Sequence, residues 1–283
     1  MGLVTKKLNI MIENRILIPV DFTAAADKAV EYGVYLAKKM HAKISLLHVF
    51  EDEGLTIEEC EDKLTVISNE INDKKEVPCD FICEAGSIFE IIPEISSKSA
   101  FRMAVIAAHG RKGFRQKLFG ADILKLLKRI PIPAMVVQEG SSIKESGFKT
   151  VIFPVGSHDE YERNIDAMNI IAGICDPEIH LYSISKPGFE QTDKLRKNIL
   201  LAEERFSEKG IRYKRIDEDQ KVFSVGFAKQ TLKYANDHKA NLISIMVNPT
   251  RENVYFADSD KESILMNEQC IPVLCTSDAE IVL

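Results

Sequence analysis

Short runs of consecutive apolar residues alternate along this chain with longer segments in which apolar residues recur at helical spacing. The first run, Arg15–Val20 (R-I-L-I-P-V), consists almost wholly of buried residue types, as a strand covered on both faces requires. It stops at Asp21-Phe22-Thr23, and the spacing of Ala26, Val30, Val34 and Ala37 predicts a helix from about Ala24 to Met40. Ile44–Phe50 reads as a second strand and Val77–Glu84 as a weaker third. Between them, Leu55 to about Lys75 reads as a charged helix with Ile57, Leu64, Ile67 and Ile71 facing inward. Gly86-Ser87 breaks the chain and caps a helix over Ile88–Ser97, which Pro93 is expected to kink or shorten. Met103–Ala108 is a fourth strand, followed by a helix from near Ala121 to Arg129. Pro131 and Pro133 then bracket the turn into a fifth strand, Ala134–Gln138.

After a polar, Gly-rich linker, Glu139–Gly147, the pattern starts again. Lys149–Val155 (K-T-V-I-F-P-V) echoes the first strand, proline included. Ile179–Ser183 echoes the second, a charged helix fills about 191–208, and Ile211–Ile216 is the third strand. A helix from about Ser224 to His238, a strand at Leu242–Val247 and I-P-V-L-C at 271–275 complete the copy. A repeat of this kind implies two copies of one domain, over residues 1–140 and 148–283. Strands and helices that alternate through short connections require right-handed crossovers and a parallel sheet covered on both sides. The expected fold is therefore α/β: two tandem, doubly wound, Rossmann-like domains, each a five-stranded parallel sheet of order 3-2-1-4-5. In such sheets ligands sit beyond the carboxyl ends of the strands, where strand order reverses.

Composition narrows the partners. The 283 residues are 45% apolar and 28% charged with a net charge of −6, which is ample for two cores and gives no general attraction for nucleic acid or anionic membrane. No apolar run approaches the roughly 18 residues of a membrane span, and residues 1–11 carry no long apolar signal region, so a cytoplasmic address is expected. The six cysteines lack a C-x-x-C spacing and read as reduced, buried thiols.

One segment departs from the acidic background. Between the fourth strand and the following helix lies a loop of nine residues bounded by Gly110 and Gly120, and Arg111, Lys112, Arg115 and Lys117 make it basic. A glycine-bounded loop that opens a helix can aim backbone N–H groups at a phosphate, and the helix N-terminus adds its partial positive charge. His109 has no Ser or Cys nucleophile beside it and reads as a histidine that orients the loop or is solvated, and the Arg111–Lys117 cluster reads either as a phosphate clamp or as an ordinary solvated loop. His48, inside an apolar strand, reads as a satisfied core or crevice histidine. Asp21 reads either as a ligand contact or as the cap of the next helix.

I-L-I-P-V-D-F-T at 16–23, L-L-H-V-F at 46–50 and A-A-H-G-(nine)-G-A at 107–121, followed by P-I-P-A-M-V-V, resemble the universal stress protein family in its tandem two-domain form. ATP-binding members carry G-x-x-G-(nine)-G-(S/T) at the last of these places. Gly110 and Gly120 match, whereas Ala107 replaces the first glycine and Ala121 the hydroxyl residue. The resemblance implies that Asp21 sits against adenosine, that the Val49 backbone meets the adenine edge, and that Gly110, Gly120, Ala121 and Asp122 hold the phosphates. Pro19, Ala107 and Arg111 complete the implied site. A Cβ at Ala107 would be unfavourable at a positive φ. The lost hydroxyl at 121 removes a phosphate hydrogen bond of about 0.5–1.5 kcal/mol, and the Asp122 carboxylate would repel phosphate.

The resemblance also implies that the two domains pair through their last strands, and it allows a homodimer. In the second copy Gly156 stands in place of the Asp21 carboxylate, and the loop after its fourth strand has no glycine while carrying Asp258, Asp260 and Glu262. That copy reads as a degenerate, structural or regulatory partner. The expected function is a stress-response sensor or adaptor that binds an adenine nucleotide (ATP, ADP or AMP, with Mg2+ able to accompany it) in the first domain, hydrolysing it slowly at most. The alternative is an interaction scaffold whose nucleotide site has decayed.

Overall fold

The computed structural model describes residues 14–50, 56–98, 100–108, 120–185, 191–219, 227–250 and 257–280. Its first half comprises β1 (Arg15–Pro19), α1 (Ala24–Met40), β2 (Lys43–Phe50), α2 (Ile57–Lys75), β3 (Cys79–Ala85), α3 (Ile88–Ser96), β4 (Phe101–Ala108), α4 (Gly120–Leu127) and β5 (Ala134–Gln138). The second comprises β6 (Thr150–Pro154), α5 (Glu162–Cys175), β7 (Glu178–Ser185), α6 (Asp193–Glu208), β8 (Tyr213–Asp219), α7 (Phe227–Asp237), β9 (Leu242–Met246), α8 (Asp258–Leu265) and β10 (Val273–Thr276).

All ten strands form one sheet, in the order β3-β2-β1-β4-β5-β10-β9-β6-β7-β8. Each half has the expected 3-2-1-4-5 order with parallel pairs throughout. The halves meet where β5 pairs antiparallel with β10, Val136 opposite Val273 and Ala134 opposite Cys275. Two apolar edges that would otherwise template aggregation thereby cover each other.

The alternation of side chains across the sheet divides the core in two. Ile16 and Ile18 join a cluster with Tyr32, Leu36, Leu64, Met168 and Phe206, on the face carrying α1, α2, α5 and α6. Leu17 joins Ile92, Leu126, Tyr234 and Leu265 on the opposite face, with α3, α4, α7 and α8. Both clusters run unbroken through the two halves, so the halves share their cores as well as their sheet.

The segment between the halves is pinned as well as polar. Gly147 has φ +67°, and a Cβ there would lie 2.1 Å from the Tyr35 hydroxyl. Phe148 beside it is buried, with its ring near those of Tyr32 and Tyr35. The Tyr35 hydroxyl in turn lies 3.4 Å from the Cys175 thiol of the other half.

Local signals explain where most helices begin. Thr23, Thr56, Ser87 and Thr192 each accept a backbone N–H as N-caps, and Thr56 with Glu59 forms a capping box. Pro93 lies within α3, which ends three residues later. Two expectations change. Ile57 does not face inward but is 55% exposed, because the stripe of α2 that packs is Cys60, Leu64, Ser68 and Ile71 and Ile57 lies one turn before it. Helices α5 and α8, which the sequence pattern did not predict, begin at Tyr161 and Ala257 with no capping side chain to announce them.

Candidate functional site

In the first half the chain leaves β1 toward β2 and β3 on one side, and later returns through β4 and β5 on the other. The carboxyl ends of β1 and β4 therefore border the crevice at which strand order reverses. Val20 and Asp21 follow β1 there. The Asp21 carboxylate is exposed and accepts hydrogen bonds from the Thr23 hydroxyl (2.6 Å) and the Thr23 backbone N–H (3.2 Å). Thr23, not Asp21, caps α1 by accepting from Ala26 N–H at 3.3 Å. The cap role considered for Asp21 thus belongs to its neighbour, and the aspartate is held by a short local turn at the crevice mouth.

An aromatic stack lies beside it. Phe22 adopts φ 60°, a conformation non-glycine residues rarely take, and its ring lies 4.7 Å from that of His48. His48 Nδ1 is 2.7 Å from the Val20 carbonyl, so this histidine is satisfied, as its sequence context implied. The ammonium of Lys63, from α2, sits 5.1 Å from the centre of the Phe22 ring, within cation–π range. Phe22 and Lys63 were not recognisable as site residues. A left-handed φ at phenylalanine has no sequence signature, and the lysine reaches the ring only because α2 packs over the strand ends.

Half-buried Pro19 ends β1, half-buried Val49 lies near the end of β2 and Ala107 near the end of β4, where it is 6% exposed. Ala107 is an ordinary strand residue paired with Val137, and the expected penalty for a Cβ at a positive φ does not arise. Gly120 is the first residue of α4, with Ala121 exposed and Asp122 half-buried behind it. Gly110 and Arg111, together with His109, Lys112 and Arg115, lie outside the described residues. Among the described residues, no group of three or more His, Cys, Asp or Glu side chains could hold a metal ion.

The corresponding crevice of the second half is filled from within. Gly156 follows β6 as Asp21 follows β1, and the ring of His158 packs directly against it. Asn198, from α6, donates to the carbonyls of both Gly156 (2.7 Å) and His158 (2.9 Å) and fixes this loop. Across from it, fully buried Lys261 of α8 donates from Nζ to the Asn248 carbonyl at 2.6 Å, and Asp258 lies 3.8 Å away. Burial pushes Lys261 down to about 8. Burial first, and then the nearby Lys261 charge, push His158 down to about 3. Both ring nitrogens of His158 are without a partner among the described residues.

Two of the three acidic residues expected to spoil a phosphate loop here, Asp258 and Asp260, have structural roles in a helix. Asp258 and Asp260 stand in the first turn of α8, where the helix dipole favours them. Asp258 pairs with Lys128 at 2.7 Å, and Asp260 accepts from Ala228 N–H at 3.2 Å.

Comparison with known proteins bears on the first half and on the overall fold. The universal stress protein family matches residues 13–138. Among solved structures, a universal stress protein from Archaeoglobus fulgidus is 19% identical, with a TM-score of 0.72 over 93% of this chain and 98% of that one. A protein of unknown function from Pseudomonas aeruginosa is 15% identical, with a TM-score of 0.60 over 94% of this chain and 93% of that one. A universal stress protein family protein from Arabidopsis thaliana, described with AMP bound, is 16% identical and covers 44% of this chain and 91% of its own, with a TM-score of 0.33. No curated protein matches the chain. No described helix is long and apolar enough to cross a membrane. The N-terminal half of this chain, residues 13–138, belongs to the universal stress protein family, within a tandem α/β fold whose second half repeats its strand order.

Proposed function

We propose that this protein is a cytoplasmic stress-response sensor or adaptor that binds an adenine nucleotide in the crevice of its first domain, residues 1–140. The second domain, residues 148–283, is its nucleotide-free partner. The observation that carries this reading is the contrast between the two crevices. In the first, an exposed carboxylate follows β1 at the switch point, Val49 lies near the end of β2 and α4 begins at Gly120. In the second, His158 and Lys261 occupy the corresponding interior.

In this reading Asp21 accepts from the ribose hydroxyls, and the Val49 backbone hydrogen-bonds the adenine edge. Pro19 and Ala107 line the floor, while Gly110, Arg111, Gly120 and Ala121 receive the phosphates. Ala121 supplies no hydroxyl, and Asp122 at the second position of α4 opposes negative charge, so the mono- and diphosphate are favoured over the triphosphate. Mg2+ accompanying a triphosphate would be held chiefly by phosphate oxygens.

Titration of the purified protein with a fluorescent adenine nucleotide tests the proposal. Saturation below millimolar ligand, weakened about tenfold or more by Asp21→Ala, is expected, with adenine nucleotide also detected by mass analysis of material carried through purification. The exposed alanine at 121 favours a second reading, a scaffold with a decayed site. Failure to saturate at millimolar nucleotide, with Asp21→Ala indistinguishable from the parent, would establish it.

A further inference from the structure

The sulfurs of Cys60 and Cys83 lie 2.8 Å apart, joining the first turns of α2 to β3. The other four thiols face elsewhere. Cys175 meets the Tyr35 hydroxyl, and Cys79, Cys270 and Cys275 point at the carbonyls of Asp80, Glu268 and Val273. Thus one pair out of six cysteines stands sulfur to sulfur, across two elements fixed by other means. The capping box of Thr56 and Glu59 sets the start of α2, and β3 is held to β2 in register from Cys79 to Ala85, with Cys83 opposite His48. Closing a bond of about 2.05 Å needs the sulfurs to approach by less than roughly 1 Å.

We propose that Cys60 and Cys83 form an oxidation site, at which a hydroperoxide converts the pair to a disulfide that staples α2 to β3. Cys83 is half-buried while Cys60 is 1% exposed, so the oxidant meets Cys83 first. The Cys83 sulfur attacks the peroxide, breaks its O–O bond and becomes a sulfenic acid as water or an alcohol leaves. The Cys60 sulfur then attacks the sulfenic sulfur, the S–S bond forms, and the hydroxyl departs as a second water. The two sulfurs together lose two electrons, the peroxide gains two, and both thiol protons end in the products.

The second step is intramolecular between groups already in contact, so it outruns capture of the sulfenic acid by a free thiol. The first step is slow, because burial, the adjacent Cys60, and Glu61 and Glu84 all hold the Cys83 thiol well above its ordinary range and keep thiolate scarce. The site therefore responds to sustained oxidant exposure. It also abuts the crevice wall, since α2 carries Lys63 over Phe22 and β3 flanks the strand bearing His48. Oxidation would fix that wall whether or not the crevice takes a nucleotide.

The test uses the full-length chain exposed to hydrogen peroxide, quenched by alkylation in denaturant and mapped by peptide mass. The expected result is a Cys60–Cys83 linked peptide with two hydrogens lost, reversed by a dithiol reductant and absent in Cys83→Ser and Cys60→Ala, while Cys79→Ser still forms it. Hydrogen exchange should slow across β3 and the first turns of α2 in the oxidised protein. Complete alkylation of both cysteines after prolonged peroxide would overturn the proposal, as would Cys83 ending as a sulfinic acid or linked to any thiol other than Cys60. The parent protein alone decides this, so a variant that folds poorly does not cloud the result.

Discussion

The imidazole of His158 lies so close over Gly156 that a Cβ at residue 156 would sit 2.7 Å from its Nδ1. The ring cannot readily swing away, because it is buried and Asn198 holds the carbonyls on both sides of it. Gly156→Ala is expected to lose about 1–3 kcal/mol through overpacking. Gly156→Asp, which restores the carboxylate of the first half, should lose at least as much and gain no nucleotide binding. Adding His158→Ala to Gly156→Ala should cost less than the sum of the two single changes. Urea unfolding of the four proteins measures this, and strictly additive losses would count against the contact.

The same histidine gives the protein an acid-sensitive interior. Burial first, and then the facing Lys261 ammonium, hold His158 at about 3 instead of 6.5, against the opposing pull of the Asn248 backbone and the Asp159 carboxylate. Between those values the unfolded chain binds a proton that the folded one refuses. The contribution of neutral His158 is thus fully present above about pH 6.5 and declines as pH falls toward 3, by up to about 1.4 kcal/mol per pH unit. His158→Phe should flatten urea midpoints between pH 4 and 6.5 relative to the parent, and an unchanged slope would refute the assignment.

Lys128 and Asp258, 2.7 Å apart, connect α4 of the first half to α8 of the second across a partly exposed surface. A pair so exposed is worth about 0.2–1 kcal/mol, the loss expected for Lys128→Met. Asp258→Asn should cost more, because it also removes the nearest negative partner of buried Lys261, 3.8 Å away. Thermal unfolding of both variants and the double mutant compares the two, and equal losses would show that Lys261 takes no support from Asp258.

Residues 1–140 produced alone would leave β5 without its antiparallel partner β10 and would break both shared core clusters. That fragment is expected to associate in a concentration-dependent way through the uncovered edge, which light scattering would detect. A stable monomer over a wide concentration range would show that the first half covers its own edge.

Much of this molecule was legible from residue order. The apolar runs at Arg15–Val20, Ile44–Phe50 and Met103–Ala108 could only be strands buried on both faces, and the repeat with its echoed proline announced a second copy. The start of α3 could be read from Ser87, because caps are local chemistry, whereas α1 is capped by Thr23 and not by the Asp21 considered for that role. Helices α5 and α8 escaped because packing, not a cap, begins them, and Ile57 misled because periodicity does not say where along a helix its neighbours stop.

The candidate site divides the same way. Asp21 could be nominated from sequence, since strand ends in this topology converge, whereas Val49 and Ala107 were nominated only through the family resemblance. That Phe22 takes a left-handed φ under Lys63, that His158 and Lys261 fill the second crevice, and that Cys60 meets Cys83 are contacts between residues distant in the chain. Sequence alone determined the alternation of elements and their duplication, because those follow from spacing along one dimension. Only the folded sheet decided which side chains fill the second crevice and which thiols touch, because both depend on side chains brought together through space.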